Sequence, residues 1–171
     1  MKCVHLVEPE DKYLASYAEA VQEYRVHQVD DYVFSDPAQV DVLEKFRNYK
    51  SGNNLKSGRV SASYYWLVSE DEFIGEIVIR HELNDALRRY GGHVGYGIRC
   101  SHQKQGYGAL MLRLALGKAR GLGLERVLIT CDDDNAASAR VIEKNSGKLQ
   151  DIIENGVSDD KVITRRYWIE L

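Results

Sequence analysis

The hydrophobic pattern changes its period near Tyr64, and this change constrains the fold more than any other feature of the chain. Two segments rich in β-branched and aromatic residues, Tyr64–Val68 and Phe73–Arg80, follow each other across an acidic turn at 70–72. Segments of this kind joined by a short polar turn are typical of an antiparallel hairpin. We therefore predict that this region contributes hairpin strands to a sheet.

The second half of the chain alternates strands with helices. His93–Cys100 and Arg126–Cys131 have strand patterns, and the second is apolar enough to be a buried strand with a parallel neighbour. Gly106–Gly121 and Asn135–Asn145 have helical spacing. A strand–helix–strand unit beside hairpins predicts a mixed sheet covered by helices.

Two helices carry more specific expectations. Asp36 followed by Pro37 has the residue types of an N-cap and a first helical position, so a second helix should begin there. In the helix 106–121 we expect Leu110, Leu114 and Ala115 to face inward.

The order of elements is β-α-α-β-β-β-α-β-α-β-β. This order predicts an α+β (mixed α/β) fold with a central mixed, mostly antiparallel sheet and helices on both faces. The other predicted elements are a strand at Cys3–Val7, a helix at Asp11–Gln28, a short helical loop at Leu83–Tyr90, and strands at Lys148–Ile153 and Val162–Ile169 around a turn at Asn155-Gly156.

Length and composition narrow the class of protein. The chain has 171 residues, 44% of them hydrophobic, which suits one domain over 1–171. Its net charge of -3 gives no general attraction to nucleic acid or anionic membrane. Charged residues come too early for a signal peptide, and no apolar run reaches the ~20 residues of a membrane span. We expect a cytoplasmic protein.

The three cysteines are Cys3, Cys100 and Cys131. Their odd number and wide spacing do not fit a disulfide framework, and no C-x-x-C pair suggests zinc. We expect no metal, and a buried, inert thiol at Cys131.

The segment from Ile98 to Leu110 has the features of an anion site. A strand ends there, a polar loop follows, and Gly106 and Gly108 open a helix. A helix start offers unpaired N–H groups and the positive end of the dipole, and glycine lets a phosphate approach the backbone. The pattern indicates a pyrophosphate cradle.

This segment has three other interpretations. For Gly-x-Gly taken alone, a simple tight turn is the favoured one. A dinucleotide-binding loop would make the protein NAD-dependent, but its third glycine would fall at Met111, and the upstream hairpin does not suit that fold. A Walker loop is excluded because no Gly-Lys-Ser/Thr is present.

Two blocks resemble the GNAT superfamily of N-acetyltransferases. Gln103-x-x-Gly106-x-Gly108 is similar to its Q/R-x-x-G-x-G/A motif, and Gly95–Arg99 is similar to the strand before it. Asn135–Gly147 resembles the second block, N-x-x-S-x-R. Arg80–Asn84 and Gly91–Tyr96 are similar to a branch of predicted acetyltransferases that is uncharacterised. The resemblance covers residues 60 to 150.

The resemblance implies an N-acetyltransferase with acetyl-CoA as co-substrate. The sheet would splay between the fourth and fifth family strands, with the thioester in the gap. A bulge near Gly95 or Gly97 could turn the Ile98 N–H toward the tetrahedral oxyanion. The implied coenzyme A-binding residues are Ile98, Arg99, Cys100, Gln103, Lys104, Gln105, Gly106, Tyr107, Gly108, Ala109, Asn135 and Ser138.

The amine must lose a proton before it attacks, so a base is needed near neutral pH. His93 is our first candidate, because it heads the strand beside the gap and imidazole titrates in this range. A structural histidine is an equally good interpretation. Glu76 and His81 are reserves, and on a regular strand they face opposite sides.

The resemblance also implies a tyrosine general acid in the second block, where this chain has Ile142. Either another residue serves, with Tyr107 and Tyr167 as candidates, or the thiolate leaves without help. Ile142 also favours the chief rival function, a non-catalytic acyl-CoA-binding module of the same fold. The expected partner is a small-molecule or peptide amine, with a homodimer left open.

Overall fold

The computed structural model describes residues 3–30, 32–155 and 161–171. The strands in this part of the chain are β1 (His5–Val7), β2 (Ala62–Ser69), β3 (Glu72–Arg80), β4 (Val94–Ile98), β5 (Arg126–Asp132), β6 (Lys148–Asn155) and β7 (Val162–Glu170). The α-helices are α1 (Leu14–Val26), α2 (Val42–Ser51), α3 (Asp85–Arg89), α4 (Tyr107–Gly121) and α5 (Ala136–Lys144). Short 3-10 turns lie at Asp11–Tyr13 and Cys100–His102.

The strands form one sheet in the order β1-β2-β3-β4-β5-β7-β6. Neighbouring strands are antiparallel except β4 and β5, which are parallel. The register joins β4 to β5 through Val94 and Ile129, whereas β3 and β4 pair over five residues. The predicted mixed, mostly antiparallel sheet is confirmed, and it splays between β4 and β5.

Helices cover both faces of the sheet. Along β2, Tyr65 and Leu67 pack into a core with α4 and α5, while Trp66 and Val68 pack into a second core with α1 and α2. Successive side chains of a strand point to opposite faces, so these two cores lie on opposite sides. The two layers of helices therefore approach the β4–β5 gap from opposite sides.

The predicted start of the second helix is wrong. The helix begins at Val42, and its N-cap is Asp41, whose Oδ1 accepts the N–H of Glu44 at 2.8 Å. Asp36 instead closes a separate turn by accepting the N–H of Ala38 at 3.0 Å. Both aspartates have cap chemistry, and the packing of Val42 and Phe46 on the sheet decides which one starts the helix.

The predicted inner face of α4 is wrong at Leu114, which is 36% exposed. The buried positions include Met111, Ala115 and Ala119. These residues recur every four positions, which fits a helix packed on β3 and beside α5. The predicted turn at Asn155-Gly156 runs into residues 156–160, outside the described part of the chain.

Candidate active site

The backbone of β4 faces the gap on one edge. The Arg99 N–H bonds to the Ile74 carbonyl of β3 at 2.8 Å. Residues of an antiparallel strand alternate between hydrogen-bonded and non-hydrogen-bonded pairs, so Ile98 and Tyr96 direct their N–H groups away from β3 and toward β5. The splay leaves space on that edge, which supports the Ile98 N–H as an oxyanion donor.

The bulge expected near Gly95 or Gly97 is not found. The β3–β4 register is regular over the five pairs from Gly75–Ile98 to Ile79–Val94. The N–H groups of Tyr96 and Ile98 point to the gap because hydrogen-bonding direction alternates along a regular strand. The divergence of β5 from β4 creates the opening.

The start of α4 carries unpaired backbone donors. Its N-cap is Gly106, at φ 87°, and no side chain caps the helix. The first intrahelical bond runs from the Leu110 N–H to the Gly106 carbonyl at 3.2 Å, so the N–H groups of residues 106–109 have no acceptor within the helix. By contrast, the caps of α2, α3 and α5 are Asp41, Asn84 and Asn135, each of which accepts a helix N–H. The first turn of α4 therefore fits an anionic group such as a pyrophosphate.

The two glycines of the cradle differ in their surroundings. A Cβ on Gly106 would meet nothing within 4 Å, although its positive φ disfavours other residues. A Cβ on Gly108 would lie 3.2 Å from Val141 Cγ2 on α5. Gly108 therefore lets α5 approach α4, and its part in the cradle stays a prediction that rests on its N–H.

The side chains of Arg99 and Cys100 turn away from the cradle. Arg99 Nε lies 2.7 Å from Glu23 Oε1, and its Nη2 lies 2.9 Å from Glu19 Oε2. Cys100 packs with the core beneath α1. Any contact of these two residues with coenzyme A would have to come from the backbone, and the ion pairs tie the loop to α1.

The loop between them and α4 is exposed. Gln103 Nε2 donates to the Ile98 carbonyl at 3.2 Å, and Gln105 Nε2 donates to the Ser101 carbonyl at 3.1 Å. Lys104 has φ 60°. Tyr107 and Ala109 are half-buried in the first turn of α4. These residues form the lip of the cradle.

Across the gap, the second block places Asn135 and Ser138 at the start of α5. Asn135 Oδ1 accepts the Ser138 N–H at 2.9 Å. Ser138 Oγ lies 2.7 Å from the Tyr96 hydroxyl of β4. Sequence reasoning missed Tyr96, although strand alternation directs its side chain to the face opposite the one at which Gly95 and Gly97 leave room.

The expected acid position does not face the gap. Ile142 is fully buried in the core between α4, α5 and the sheet. Tyr167 is 1% exposed and donates to Glu143 at 3.1 Å. Neither side chain bridges β4 and α5, whereas the Tyr96 side chain does so through its contact with Ser138.

His93 lies at the closed end of the gap. Its N–H donates to the Leu128 carbonyl at 2.7 Å, and its Nδ1 accepts the Leu128 N–H at 2.9 Å. Burial, with Arg88 and Arg80 nearby, lowers the pKa of His93 to about 4. The Nδ1 lone pair is engaged, so the geometry favours the structural role of this histidine.

Glu76 lies on β3 opposite Gly97 of β4, with its side chain on the α1 side of the sheet, and is 1% exposed. Its Oε1 accepts from the Tyr32 hydroxyl, and its Oε2 accepts from Trp66 Nε1, both at 2.9 Å. Burial raises the pKa of Glu76 to about 7, although these two hydrogen bonds act against the shift. A carboxyl group with this pKa can exchange a proton near neutral pH.

His81 has a different setting. Its Nε2 lies 2.9 Å from Ser63 Oγ, and burial lowers its pKa. It follows the end of β3, away from Glu76. Of the two alternative base candidates, Glu76 bonds to Tyr32 and His81 bonds to Ser63, which agrees with the opposite faces expected on a regular strand.

Tyr32 links Glu76 to the surface of β4. A Cβ on Gly97 would lie 2.7 Å from the Tyr32 ring, and one on Gly95 would lie 3.5 Å from it. Tyr32 also lines a cavity of about 660 Å³ between α1 and the segment before α2, together with Tyr24, Phe34, Val40 and Lys45 among others. The phenol therefore connects the cavity, the face of β4 and the buried carboxylate.

Among the residues that the structure describes, no group of three or more His, Cys, Asp or Glu side chains is placed to hold a metal ion. Within the same residues, no helix combines the length and apolarity needed to cross a membrane.

The fold resembles those of solved acetyltransferase structures. The structure superimposes on RimL, a ribosomal alpha-N-protein acetyltransferase, with a TM-score of 0.71 and 17% identity over 98% of this chain and 90% of that one. RimJ of Mycobacterium smegmatis, in complex with a CoA disulfide, superimposes with a TM-score of 0.73 and 16% identity, over 98% of this chain and 81% of that one. The microcin self-immunity acetyltransferase MccE, in complex with acetyl-CoA and AMP, superimposes with a TM-score of 0.73 and 13% identity, over 98% of this chain and 92% of that one. At these identities, the likeness shows the fold.

The sequence itself shows the family. No curated protein matches the chain significantly. The family model of the acetyltransferase (GNAT) domain, however, matches residues 4–148. The chain therefore belongs to the GNAT acetyltransferase family, whose members are acyltransferases that use acetyl-CoA.

Proposed function

We propose that the chain transfers the acetyl group of acetyl-CoA to a primary amine, with Glu76 as the base. The observation that carries this proposal is the contact of Glu76 with Tyr32, whose ring lies against β4 beside the gap. The amine attacks the thioester carbon directly, and a tetrahedral intermediate forms. The Ile98 N–H donates to its oxyanion.

The proton of the amine leaves through Tyr32. Glu76 does not line the cavity, whereas Tyr32 does, so the phenol joins the two. The amine gives its proton to the Tyr32 oxygen while the Tyr32 hydroxyl gives its own to Glu76. The raised pKa of Glu76, about 7, suits this exchange near neutral pH.

The acyl donor is held from both sides of the gap. The N–H groups at 106–109 bind the pyrophosphate, with the lip residues Gln103, Lys104 and Gln105 around it. Asn135 and Ser138 contact the pantetheine arm. When bound, acetyl-CoA supplies the activated acetyl group, and a coenzyme A thiol is released.

The acceptor enters through the cavity that Tyr32 lines. Val33 and Val40 on its wall are 79% and 41% exposed, and Arg25 and Asp36 form an ion pair there. Apolar and charged groups side by side suit an amine that carries a larger body, such as a peptide N-terminus. RimL acts on such a protein amine.

The rival function is acyl-CoA binding without catalysis, favoured by Ile142 in the position of the family's tyrosine. A panel of polyamines, amino acids, aminoglycosides and peptide N-termini separates the two, with coenzyme A release from acetyl-CoA as the readout. Binding of acetyl-CoA without turnover on any amine would leave the rival. With an active amine, Glu76→Gln and Tyr32→Phe should each lower kcat by roughly 10²-fold. Glu82→Gln, which changes an exposed carboxylate, is the matched control.

The same proposal includes the organisation of the protein. Strands from residue 5 to residue 170 share one sheet, which supports one domain over 1–171. The outer strands β6 and β7 expose Leu149, Ile152 and Ile163, each by about half. This apolar strip supports a homodimer through β6, which sedimentation velocity would detect.

A further inference from the structure

The hydroxyl of Tyr96 reaches from β4 to α5. It lies 2.7 Å from Ser138 Oγ and 3.3 Å from the Ser138 carbonyl oxygen. The Tyr96 side chain packs at the edge of the core beneath α4 and α5. A phenol that ends at the first turn of α5 therefore spans the two sides of the gap.

The position of Tyr96 along β4 is relevant to the chemistry. The parallel pair joins Val94 to Ile129, and Tyr96 lies two residues further on, where the strands have separated. Its backbone N–H points into the same opening as that of Ile98. The hydroxyl and the oxyanion donor therefore belong to one short stretch of β4.

Three other phenols, those of Tyr167, Tyr32 and Tyr24, are less well placed to protonate a leaving group in this gap. Position 142 carries isoleucine and is fully buried. Tyr167 lies on β7, on the far side of β5, and its hydroxyl is bonded to Glu143. Tyr32 and Tyr24 lie on the α1 side of the sheet, where they bond to Glu76 and to the Ile98 carbonyl.

We propose that Tyr96 is the proton donor to the departing coenzyme A thiolate, with Ser138 as its hydrogen-bond partner. As the carbon–sulfur bond breaks, its electron pair goes to sulfur, and the Tyr96 hydroxyl proton passes to that sulfur to give the thiol. Ser138 Oγ then donates to the phenolate. After release, Glu76 gives up its extra proton to solvent through Tyr32 and Tyr96 takes up a proton from solvent, so each turnover balances. The proposal rests on acetyl transfer in the gap.

The test measures the bound thiol itself and needs no acceptor. The protein is saturated with coenzyme A and titrated from neutral to alkaline pH, and thiolate absorbance is followed against the complex with desulfo-coenzyme A. A phenol that donates to the thiolate lowers the pKa of the thiol. Tyr96→Phe should therefore raise that pKa by about one compared with the wild-type complex. Tyr49→Phe, which changes a half-buried phenol on α2, should leave it unchanged.

Ser138→Ala provides a second variant and separates the two hydroxyls. If Tyr96 is the donor, loss of its partner should shift the thiol pKa less than Tyr96→Phe does. A full shift in Ser138→Ala with none in Tyr96→Phe would overturn the assignment, as would equal thiol pKa values in the Tyr96→Phe and wild-type complexes. Failure of the wild-type protein to bind coenzyme A would instead reject the cradle, and the Tyr96 proposal with it. An inactive amine panel beside a shifted thiol pKa would show that Tyr96 bonds to the bound sulfur, but it would reject acetyl transfer and, with it, the role of Tyr96 as proton donor to a leaving group.

Discussion

His93 and Leu128 are joined by two hydrogen bonds at the closed end of the β4–β5 gap, just before the Val94–Ile129 pair. The His93 N–H donates to the Leu128 carbonyl at 2.7 Å, and the Leu128 N–H donates to His93 Nδ1 at 2.9 Å. The imidazole takes the place of a strand carbonyl as acceptor for a buried N–H. His93 thereby joins the start of β4 to β5 at the closed end of the gap, one residue before the Val94–Ile129 pair.

Replacement of His93 should therefore affect stability first. His93→Ala leaves the Leu128 N–H buried without this acceptor, and we expect a loss of about 1–3 kcal/mol in the free energy of unfolding. Urea denaturation measures the loss. The rise of kcat/KM with pH near neutrality should persist in the variant, because Glu76 is the proposed base. A fall of kcat by ~10²-fold with loss of that rise would return the base to His93.

Glu76 should make the stability of the protein depend on pH. Its pKa is the ordinary 4.5 in the unfolded chain and about 7 in the folded protein, so the folded state binds more protons between these values. The stabilisation is fully present below the lower value and is lost as the pH rises through the higher one. We expect a decrease on the order of 3 kcal/mol between about pH 4 and about pH 8.

Glu76→Gln should lack this decrease, because its amide does not titrate. Urea denaturation of both proteins across the pH range gives the comparison. Parallel stability curves for the two proteins would show that Glu76 titrates normally in the folded state, and the base would have to be sought elsewhere.

The two cradle glycines should respond differently to alanine. Gly106→Ala forces a side chain into a left-handed conformation and costs roughly 1–2 kcal/mol in stability, without a steric clash. It should also weaken acetyl-CoA binding, because the N–H groups shift. Gly108→Ala places its Cβ 3.2 Å from Val141 Cγ2, so the change in stability that it causes should depend on Val141 and should be more favourable in the Val141→Ala background. Calorimetric titration with acetyl-CoA and thermal unfolding measure the two effects. Unchanged affinity in folded Gly106→Ala would place the cradle elsewhere.

Ile142→Tyr should not restore an acid. Ile142 is fully buried, so a larger ring would overpack the core at a cost of about 1–3 kcal/mol. With Tyr96 already placed at the gap, we expect a lower melting temperature and no gain in kcat. Differential scanning calorimetry and steady-state kinetics provide the check. A stable variant with higher kcat would show that position 142 can reach the leaving group.

Periodicity and cap chemistry predicted most elements of this fold correctly. The hairpin 64–80, the strand 126–131 and the helix 135–145 were predictable because their alternation and caps are local. The start of α2 was not, since Asp36 and Asp41 are equally good caps and only the packing of Val42 and Phe46 on the sheet selects between them. Local signals fix the type of an element, and tertiary contacts fix its ends.

The site divides in the same way. The sequence by itself determined the family and the loop that carries Gly106, because a strand, a glycine and a helix start are adjacent in the chain. Only the tertiary structure brought Tyr32 against Glu76 across 44 residues and Tyr96 against Ser138 across 42. It also turned His93 toward Leu128. A proton's path depends on which distant side chains meet and how far water is excluded, and the packing of both helical layers on a splayed sheet decides both.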